Sequence, residues 1–571
     1  MLKGLAVSPG IGVGKAFVYV EAGLDYSRVE PQGEEAELAR LAGAKASFLR
    51  DSEALAKSLK EAGNVREGDM IEGHMVLLED DFLAEEMEKA VKEGKSAEAA
   101  AAAGCAAVAE LFRQVDDEMI RARAADMFAI RDRLLKILLG VESQDLSAVP
   151  EGSVFVTGDL TPYMATGLKR GNVEAIVTET GGMTSHSAIL ARAMGIPAVM
   201  GIPGLLGVVK AGQTLAVDGA AGEVVVFPPR EVLDDYLGRQ KKWRESKAAL
   251  LVYKDRRTKD KDGGERLVCA NIASVGEAEL ALEQGCEGVG LFRTEMLFMD
   301  RESPPSEDEQ AAAYRKASEI MAWRELIIRT MDIGGDKQVP YLHLPQEPNP
   351  FLGYRAVRFC LAEPELFKVQ LRAIFRAAAG RGNVKIMIPF VTGPEEIEGV
   401  RGIAEGLKRD LASEGAAFNP DVPLGIMVET PAAVQLADAL AARAAFFSIG
   451  TNDLTQYTLA ADRMNTRVDY LYSHYHPAVL RSVERVVAAA KAAGIPVGMC
   501  GEAAGSPGLV PLYLAFGLDE WSVNPGSVLA TRKAIAGWSV SEAREVAARA
   551  MALSTTKEVK AYLEGVVAQR G

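Results

Sequence analysis

The stretch GVGLFRT, residues 288–294, is a short apolar strand that ends in polar side chains. Further stretches of the C-terminal half repeat this pattern, and each of them lies in a segment that then turns helical. They are VCANIA (268–273), LIIRTMD (326–332), VKIMIPF (384–390), GIMVET (425–430), FFSIGTND (446–453), VGMCGE (497–502) and EWSVNP (520–525). Eight strand–helix units of this size predict a (β/α)8 TIM barrel, which we place at residues 263–571.

The bulk composition limits the class of protein. A chain of 571 residues is too long for one core, and 48% hydrophobic with 25% charged residues is ordinary for a soluble protein. The net charge of -15 argues against nucleic acid as a partner. Five cysteines without paired spacing favour a reducing compartment. There is no signal peptide and no apolar run long enough for membrane insertion, so we expect a cytoplasmic protein.

The N-terminal half changes character twice. Residues 2–20 have strand patterns, and the sequence between Pro31 and Pro150 lacks proline and has helical periodicity. Strand patterns return at about residue 151. We therefore predict an α/β domain made of 1–21 and 146–228, with an all-helical insertion at 22–145. A charged helix at 229–262 is interpreted as a linker to the barrel.

The predicted strand ends of the barrel carry charged and polar side chains. Active sites of such barrels lie at the C-terminal ends of the strands. The side chains at these ends and in the connections after them are Arg293, Thr294, Glu295, Arg329, Asp332, Arg355, Glu429, Asn452, Asp453, Arg463, Cys500, Glu502 and Asn524. Several arginines at one mouth predict an anionic ligand, such as a phosphate or a carboxylate. Carboxylates beside them predict a divalent cation, with Mg²⁺ as the candidate.

A plainer interpretation exists for each of these side chains. A single arginine at a strand end can equally belong to a surface ion pair, and the functional interpretation depends on the charges recurring around the mouth. Cys500 stands at a strand end, but a lone cysteine is usually a small buried hydrophobe. Both alternatives remain open at the level of the residues alone.

His186 stands in TGGMTSHSAILARAMGIPAV, residues 180–199, between a glycine turn and a helical segment. A helix N-terminus offers free N–H groups and favours an anion. A neutral imidazole is a competent nucleophile, so His186 is a candidate carrier of a phosphoryl group. The alternative is a histidine that only caps or packs against its own helix.

Several motifs of the chain resemble the Enzyme I family, the phosphoenolpyruvate–protein phosphotransferases of the bacterial sugar phosphotransferase system. The resemblance extends over essentially the whole length. Its motifs are GGMTSHSAILAR, EGHMVLLEDD, GLFRTEMLFMDR, RTMDIGGDK, NPFLGYRAVR, MVETPAA, SIGTNDLTQYTLAADR and GMCGEAAG. They occur in the order expected for a swivelling phosphohistidine domain, with its helical insertion, followed by a phosphoenolpyruvate-binding barrel.

The resemblance implies a role for each candidate residue. His186 would carry the phosphoryl group, and Cys500 would protonate the enolate to give pyruvate. Phosphoenolpyruvate would be held by Arg293, Arg329, Arg355, Asn452, Asp453 and Arg463. Glu429 and Asp453 would hold Mg²⁺. The helical insertion would bind the phosphocarrier protein HPr, and the barrels would form a homodimer.

Other functions share parts of this pattern. Pyruvate phosphate dikinase and phosphoenolpyruvate synthase have the same two domains, but they need an ATP-grasp domain ahead of the histidine domain, and this sequence begins in the latter. A nitrogen-related paralogue would carry an additional sensory domain. A regulatory protein that only binds phosphoenolpyruvate would not need every catalytic position to be filled.

The implied mechanism requires motion. His186 must collect the phosphoryl group at the barrel mouth and then face HPr. We therefore predict that the histidine domain swivels about the linker at 229–262.

Overall fold

The computed structural model describes most of the chain. It describes residues 1–571 except 20–23, 25, 28, 62–64, 115–123, 142–145, 147–148, 162–163, 165–167, 183–185, 300, 302, 336, 338, 466 and 571. The side chains of 58–61, 65–67, 69–70, 113–114, 124–125, 170, 186, 189–190 and 193 are likewise outside the described part. The chain forms two compact units, Met1–Glu245 and Ser246–Gly571.

The first unit contains an eight-stranded mixed sheet. Its strands are β1 (Leu2–Lys3), β2 (Leu5–Ser8), β3 (Ile11–Tyr19), β4 (Ser153–Thr157), β5 (Val173–Thr178), β6 (Ala198–Met200), β7 (Thr214–Asp218) and β8 (Glu223–Val226). The order across the sheet is β1-β8-β7-β3-β4-β5-β6-β2. The central strands β3 to β6 are parallel, and the outer ones pair antiparallel. Strand β4 is buried throughout, as expected for a strand that is covered on both faces.

Helices interrupt this sheet between β3 and β4. They are α1 (Glu34–Glu61), α2 (Val65–Leu78), α3 (Asp81–Lys92), α4 (Ala97–Gln114) and α5 (Ala124–Leu138). These helices share a core of their own that includes Phe48, Leu83 and Ile130. The predicted fold class, an α/β domain that carries a helical insertion, is therefore confirmed. The exact limits of the domains stay a prediction.

Buried charges fix the start of α4. The Glu37 carboxylate accepts the N–H groups of Ala97 at 2.8 Å and of Gln32 at 2.8 Å. Arg40 pairs with Glu37 and with Glu98. One carboxylate from α1 thus satisfies a helix N-terminus that would otherwise leave its donors unpaired.

Among the described residues after β4, helices precede the barrel, and the last of them runs past the end of the first unit at Glu245. They are α6 (His186–Met194), α7 (Leu205–Val208) and α8 (Arg230–Leu250). Helix α8 covers the first part of the predicted linker. Helix α6 starts at His186, and Gly181, five residues earlier, has φ 117°, a conformation that favours glycine.

The second unit is built on a closed barrel of eight parallel strands. They are β9 (Leu267–Ile272), β10 (Gly288–Arg293), β11 (Glu325–Arg329), β12 (Val384–Ile388), β13 (Leu424–Val428), β14 (Phe447–Ile449), β15 (Val497–Met499) and β16 (Glu520–Val523). Each overlaps one of the strands predicted from the sequence, and β16 pairs with β9 to close the barrel. The prediction of a TIM barrel is confirmed.

Helices surround the barrel. They are α9 (Val275–Glu283), α10 (Glu307–Met321), α11 (Ala356–Ala362), α12 (Pro364–Ala377), α13 (Pro394–Ser413), α14 (Pro431–Gln435), α15 (Ala437–Ala441), α16 (Thr451–Leu459), α17 (Pro477–Ala493), α18 (Val510–Phe516), α19 (Val528–Ala536), α20 (Val540–Met551) and α21 (Thr556–Ala568). Most of the apolar core lies between these helices and the outer faces of the strands. A second, small cluster contains Leu291, Ile327, Met387, Met427, Phe446 and Cys500.

No helix in the described parts of the chain is both long and apolar enough to cross a membrane.

Glu520 is a buried carboxylate at the opposite end of the barrel from the mouth. It is the first residue of β16, and burial together with the negative charge of Glu325 raises its pKa to about 8, which Lys385 only partly offsets. A side chain at Gly290 would collide with the Glu520 carboxylate, so glycine is required at that point of β10.

We expect Glu520 to make the barrel less stable as the pH rises. The folded protein holds this proton more tightly than the unfolded chain, whose glutamate has an ordinary pKa near 4.5. The stabilisation is therefore complete below that pH and is lost as the pH rises towards 8. The free energy of unfolding of wild type minus that of Glu520→Gln should fall by a few kcal/mol, on the order given by linkage, between about pH 5 and pH 8.

Urea unfolding at a series of pH values measures this difference. Glu365→Gln, which alters an exposed carboxylate on α12, is the control and should leave the pH profile of the wild type unchanged. Parallel profiles for wild type and Glu520→Gln would contradict the assignment.

Candidate active site

Arg329 stands at the end of β11 and is buried. Its guanidinium pairs with Glu295, and Nη1 lies 3.3 Å from Oδ2 of Asp332. Its Nε is buried and has no hydrogen-bond partner among the described residues. A buried cationic donor without a partner is costly, and an anionic ligand at the mouth would satisfy it.

Asp332 and Arg355 form the most closely connected ion pair of the mouth. Nη2 of Arg355 lies 2.8 Å and 2.9 Å from the two carboxylate oxygens of Asp332, and Nε donates to Oδ1 at 3.1 Å. Burial alone would raise the pKa of Asp332, but Lys337, Arg355 and Arg329 together hold it well below its usual range. Asp332 therefore remains ionised at every physiological pH.

The remaining donors of Arg355 are also engaged. Nη1 donates to the Tyr457 hydroxyl at 3.0 Å, and Nη2 donates to Oδ2 of Asp453 at 3.2 Å. The guanidinium lies 4.6 Å from the centre of the Phe390 ring. With 2% of its surface exposed, Arg355 holds the carboxylates of the mouth in place, whatever it contributes to ligand binding.

Glu429 and Asp453 place two carboxylates at the ends of neighbouring strands. Asp453 lies in the first turn of α16 and accepts from Arg463 Nη1 at 3.0 Å. Glu429 follows β13, and its Oε1 accepts the Phe390 N–H at 2.7 Å. Burial raises the pKa of Glu429 to about 8, and the charges of Asp453 and Asp332 add to this rise. A bound cation would relieve that repulsion.

Asn452 is held by the loop that follows β15. Its Oδ1 accepts the Glu502 N–H at 2.9 Å, and its Nδ2 lies 3.4 Å from Oε1 of Glu502. The Tyr472 hydroxyl donates to the Asn452 carbonyl at 3.1 Å. The side-chain amide is thus oriented by Glu502, while Tyr472 holds the backbone of the same residue.

Arg293 differs from the buried arginines. It is the last residue of β10, and its side chain is exposed. Within the described ranges, no hydrogen bond or ion pair engages its guanidinium. It is therefore available to an anion that approaches from solvent.

Cys500 follows β15 and has 3% of its surface exposed. Burial raises the pKa of its thiol to about 11, and the Glu429 carboxylate adds to this effect, while Ser448 and the nearby arginines Arg329 and Arg293 oppose it. The thiol is therefore protonated at neutral pH and carries a proton that it can donate.

His186 begins α6 in the first unit, as predicted for a residue at a helix N-terminus. The side chain of His186, and residues 183–185 before it, lie outside the described residues. The neighbouring Ser187 is buried and donates to Oδ1 of Asp159 at 2.6 Å, which ties the first turn of α6 to the loop after β4.

The barrel brings most of the predicted site residues together. Arg329 interacts electrostatically with Glu429 and Cys500, and Arg355 interacts with Glu429 and Asp453. Arg463 joins them through its ion pair with Asp453. The sequence analysis did not single out Lys337 and Tyr457. Lys337 lies 3.4 Å from Glu295 and 3.5 Å from Asp332, and its position in GGDK next to Asp332 was the available signal.

The described side chains include no group of three or more histidines, cysteines, aspartates and glutamates that could hold a metal ion. Glu429 and Asp453 offer a pair of carboxylates, and a magnesium ion uses one or two when a substrate and water supply its other ligands.

The chain is similar to known proteins over its whole length. Its residues 3–123, 149–222 and 247–540 match the family models described as PEP-utilising enzyme N-terminal, mobile domain and PEP-binding domain. The phosphoenolpyruvate-protein phosphotransferase of Staphylococcus carnosus is 39% identical over 99% of this chain and 98% of its own. That of Bacillus subtilis is 40% identical over 99% of both chains.

The chain belongs to the phosphoenolpyruvate-protein phosphotransferase family. The resemblance drawn from the motifs is therefore confirmed. An NMR structure of Enzyme I is 33% identical and covers 43% of this chain and all of its own, with a TM-score of 0.37. The family match extends through both the sheet unit and the barrel, so the mouth described above lies in the PEP-binding part of a phosphotransferase.

The arginines of the mouth should differ in what they contribute to stability. Arg355→Met leaves Asp332 and Asp453 buried without their shared guanidinium, and loss of one partner of a buried ion pair costs about 3–5 kcal/mol. Arg293→Met removes an exposed side chain and should change the free energy of unfolding by less than ~0.5 kcal/mol. Urea unfolding of the two variants, followed by circular dichroism and tryptophan fluorescence, measures both. Equal losses would show that Arg355 is not a structural centre of the mouth.

Proposed function

We propose that the chain transfers the phosphoryl group of phosphoenolpyruvate to His186 and then to a histidine of the carrier protein HPr, with release of pyruvate. One observation carries this proposal. In a chain of this family, cationic donors at the barrel mouth are left for an anion, namely the exposed Arg293 and the buried Nε of Arg329. Phosphoenolpyruvate presents a phosphate and a carboxylate, which are the groups that arginine recognises best.

The substrate would be held by Arg293, Arg329, Asn452 and Arg463, with Arg355 fixing Asp332 and Asp453 beside them. Charge on the equatorial oxygens of the transferred group is neutralised by these guanidinium groups. The bond between phosphorus and the enol oxygen breaks, and a bond between phosphorus and an imidazole nitrogen of His186 forms. Because phosphohistidine retains a high transfer potential, the same group can move on to HPr.

The enolate that leaves needs a proton at carbon 3. The Cys500 thiol, protonated at neutral pH, would supply it as the S–H bond breaks and a C–H bond forms. The thiolate then recovers a proton from water. Pyruvate leaves as the ketone, and this tautomerisation makes the phosphoryl transfer favourable.

Glu429 and Asp453 would hold a Mg²⁺ ion. Both residues offer carboxylate oxygens, which Mg²⁺ prefers. Burial and the charge of Asp453 destabilise the Glu429 anion, and a cation would offset this effect. When bound, the ion would neutralise phosphoryl oxygens and orient the substrate.

The proposal also implies partners and motion. His186 has to reach the barrel mouth to accept the phosphoryl group and has to leave it to meet HPr, which is the reason for a swivelling domain and a linker. The helical insertion would bind HPr. By the same family resemblance we place the protein in the cytoplasm as a homodimer that associates through its barrels.

Incubation with ³²P-labelled phosphoenolpyruvate and Mg²⁺, without ATP, tests the proposal. Wild type should acquire acid-labile, base-stable label and pass it to added HPr, and His186→Ala should acquire none, since it lacks the nucleophile. His343→Ala, which alters a histidine in a barrel connection, is the matched control and should be labelled like wild type. Label in His186→Ala would mean that another histidine carries the group. Label that needs ATP would favour the dikinase alternative, and binding of phosphoenolpyruvate without any label would favour a regulatory protein.

If Glu429 binds Mg²⁺, its substitution should change the Mg²⁺ concentration that labelling requires. Treatment with EDTA should abolish labelling of wild type, and Mg²⁺ should restore it. Glu429→Gln should require a higher Mg²⁺ concentration for half-maximal labelling, because it removes one of two anionic ligands. Glu365→Gln, which removes an exposed carboxylate on α12, should respond to Mg²⁺ like wild type. An unchanged Mg²⁺ dependence in Glu429→Gln would contradict the assignment.

A further inference from the structure

Asn271 is a buried amide in the barrel wall whose polar atoms all have partners. It lies in β9, a strand that otherwise reads as apolar. Its Nδ2 donates to the Cys500 carbonyl at 3.0 Å and to the Ser522 carbonyl at 3.2 Å. Its Oδ1 accepts from the Ser522 hydroxyl at 2.7 Å. Only 8% of the surface of Asn271 is exposed, so these hydrogen bonds replace those that its side chain would make with water.

The Asn271 side chain bonds to a residue beyond the neighbouring strand β16. Strand β16 lies between β9 and β15, and the ladder between β15 and β16 ends with Met499 opposite Trp521. Cys500 is the next residue. Its N–H still bonds to the Ile449 carbonyl of β14 at 3.1 Å. Its carbonyl receives Nδ2 of Asn271, so the side chain continues the ladder by one residue on that side.

The residues that follow Cys500 are fixed by contacts of their own. A side chain at Gly501 would collide with Thr451, the residue before Asn452. The Glu502 N–H donates to Asn452 Oδ1 at 2.9 Å. The two residues after the thiol are therefore held against the start of α16 by these contacts and not by Asn271. A displacement of about 1 Å at a reacting group such as the thiol can cost on the order of a hundredfold in rate.

We infer that Asn271, oriented by Ser522, is a positioning residue that aims the Cys500 thiol at carbon 3 of the enolate. This inference depends on the proposed function. Within the described part of the chain, the Asn271 amide bonds to the Cys500 carbonyl and to Ser522, and to none of the groups proposed to hold the phosphoryl group. Its loss should therefore impair delivery of the proton and leave the transfer of phosphorus to nitrogen largely intact. An enolate that is not protonated in the site leaves as enolpyruvate and becomes the ketone in water without facial preference.

The chain provides a matched control. Asn383, just before β12, has the same arrangement, with Nδ2 donating to the carbonyls of Ser318 at 3.3 Å and Arg324 at 3.0 Å, and Oδ1 accepting from the Ser318 hydroxyl at 2.8 Å. It lies at the end of the barrel away from the mouth. Asn383→Ala therefore removes an equivalent set of bonds without touching Cys500.

The experiment uses the full chain with HPr and Mg²⁺. Phosphoenolpyruvate that is stereospecifically deuterated at carbon 3 is converted in tritiated water, and the chirality of the pyruvate methyl group is measured together with the rate of His186 labelling. Wild type and Asn383→Ala should give pyruvate of one chirality. Asn271→Ala should label His186 at a rate comparable to wild type and give largely racemic pyruvate, and Cys500→Ala should give fully racemic pyruvate.

Distinct outcomes separate this inference from the proposed function. Absence of label on wild type would remove the proposed function itself. Label on wild type with racemic pyruvate would overturn proton delivery by Cys500 and with it the positioning role, while the phosphoryl transfer would stand. Wild-type chirality in Asn271→Ala would overturn the positioning role alone. If Asn271→Ala does not fold, Ser522→Ala, which removes only the hydroxyl that orients the amide, decides the question. Partial loss of chirality in it supports the role, and full retention overturns it.

Discussion

The cost of burying charge determines the architecture of the barrel mouth. Arg329, Arg355, Asp332 and Glu295 are each almost fully buried, and an isolated ion there would be unfavourable by many kcal/mol, so each must be matched by an opposite charge at hydrogen-bonding distance. Only strand ends that are fixed in register can provide that match. The pairing of Arg293 with Arg329 across β10 and β11 sets this register, and it places Glu295 and Asp332 on either side of the Arg329 guanidinium. The apolar core between strands and helices supports this arrangement by making the strand ends rigid.

The pairing of charges at the mouth is incomplete, and the groups without a described partner are those that a ligand would contact. Arg355 uses its guanidinium on two aspartates and a tyrosine hydroxyl, so it belongs to the scaffold. The Arg329 Nε has no described partner, Arg293 is open to solvent, and Glu429 is a carboxylate whose ionisation is opposed by its surroundings. An anionic substrate would satisfy the free arginine donors, and a bound cation would stabilise the Glu429 carboxylate. The sequence alone does not distinguish the arginine that holds other side chains, Arg355, from the arginines with donors left for a ligand, Arg293 and Arg329.

A sequence pattern relates residues that are close along the chain, and this limits what can be predicted from it. Strand periodicity is local, so all eight barrel strands and the helix start at His186 could be predicted, because each depends on neighbours within a few residues. Whether Arg355 turns inward depends on Asp332, which lies 23 residues away, and on Asp453, 98 residues away. Asn271 is harder still, since its partners Cys500 and Ser522 are 229 and 251 residues distant. A polar residue inside an apolar strand is a weak signal, and only closure of the barrel shows what it bonds to.

The two chemical steps that the proposed reaction requires fall on different sectors of one barrel. The guanidinium and carboxylate groups that would accommodate the phosphoryl charge come mainly from β10, β11, β13 and α16. The proton donor is held by β14, β16 and β9, through the Ile449 carbonyl, Ser522 and Asn271. A phosphoryl site needs dense positive charge, and nearby cations lower the pKa of a thiol that must stay protonated. Arg329 and Arg293 have this effect on Cys500, but burial outweighs it and keeps the thiol protonated. The closed barrel makes this possible because the thiol and the arginines belong to separate strands, so the thiol can be buried in the wall while the arginines face the mouth.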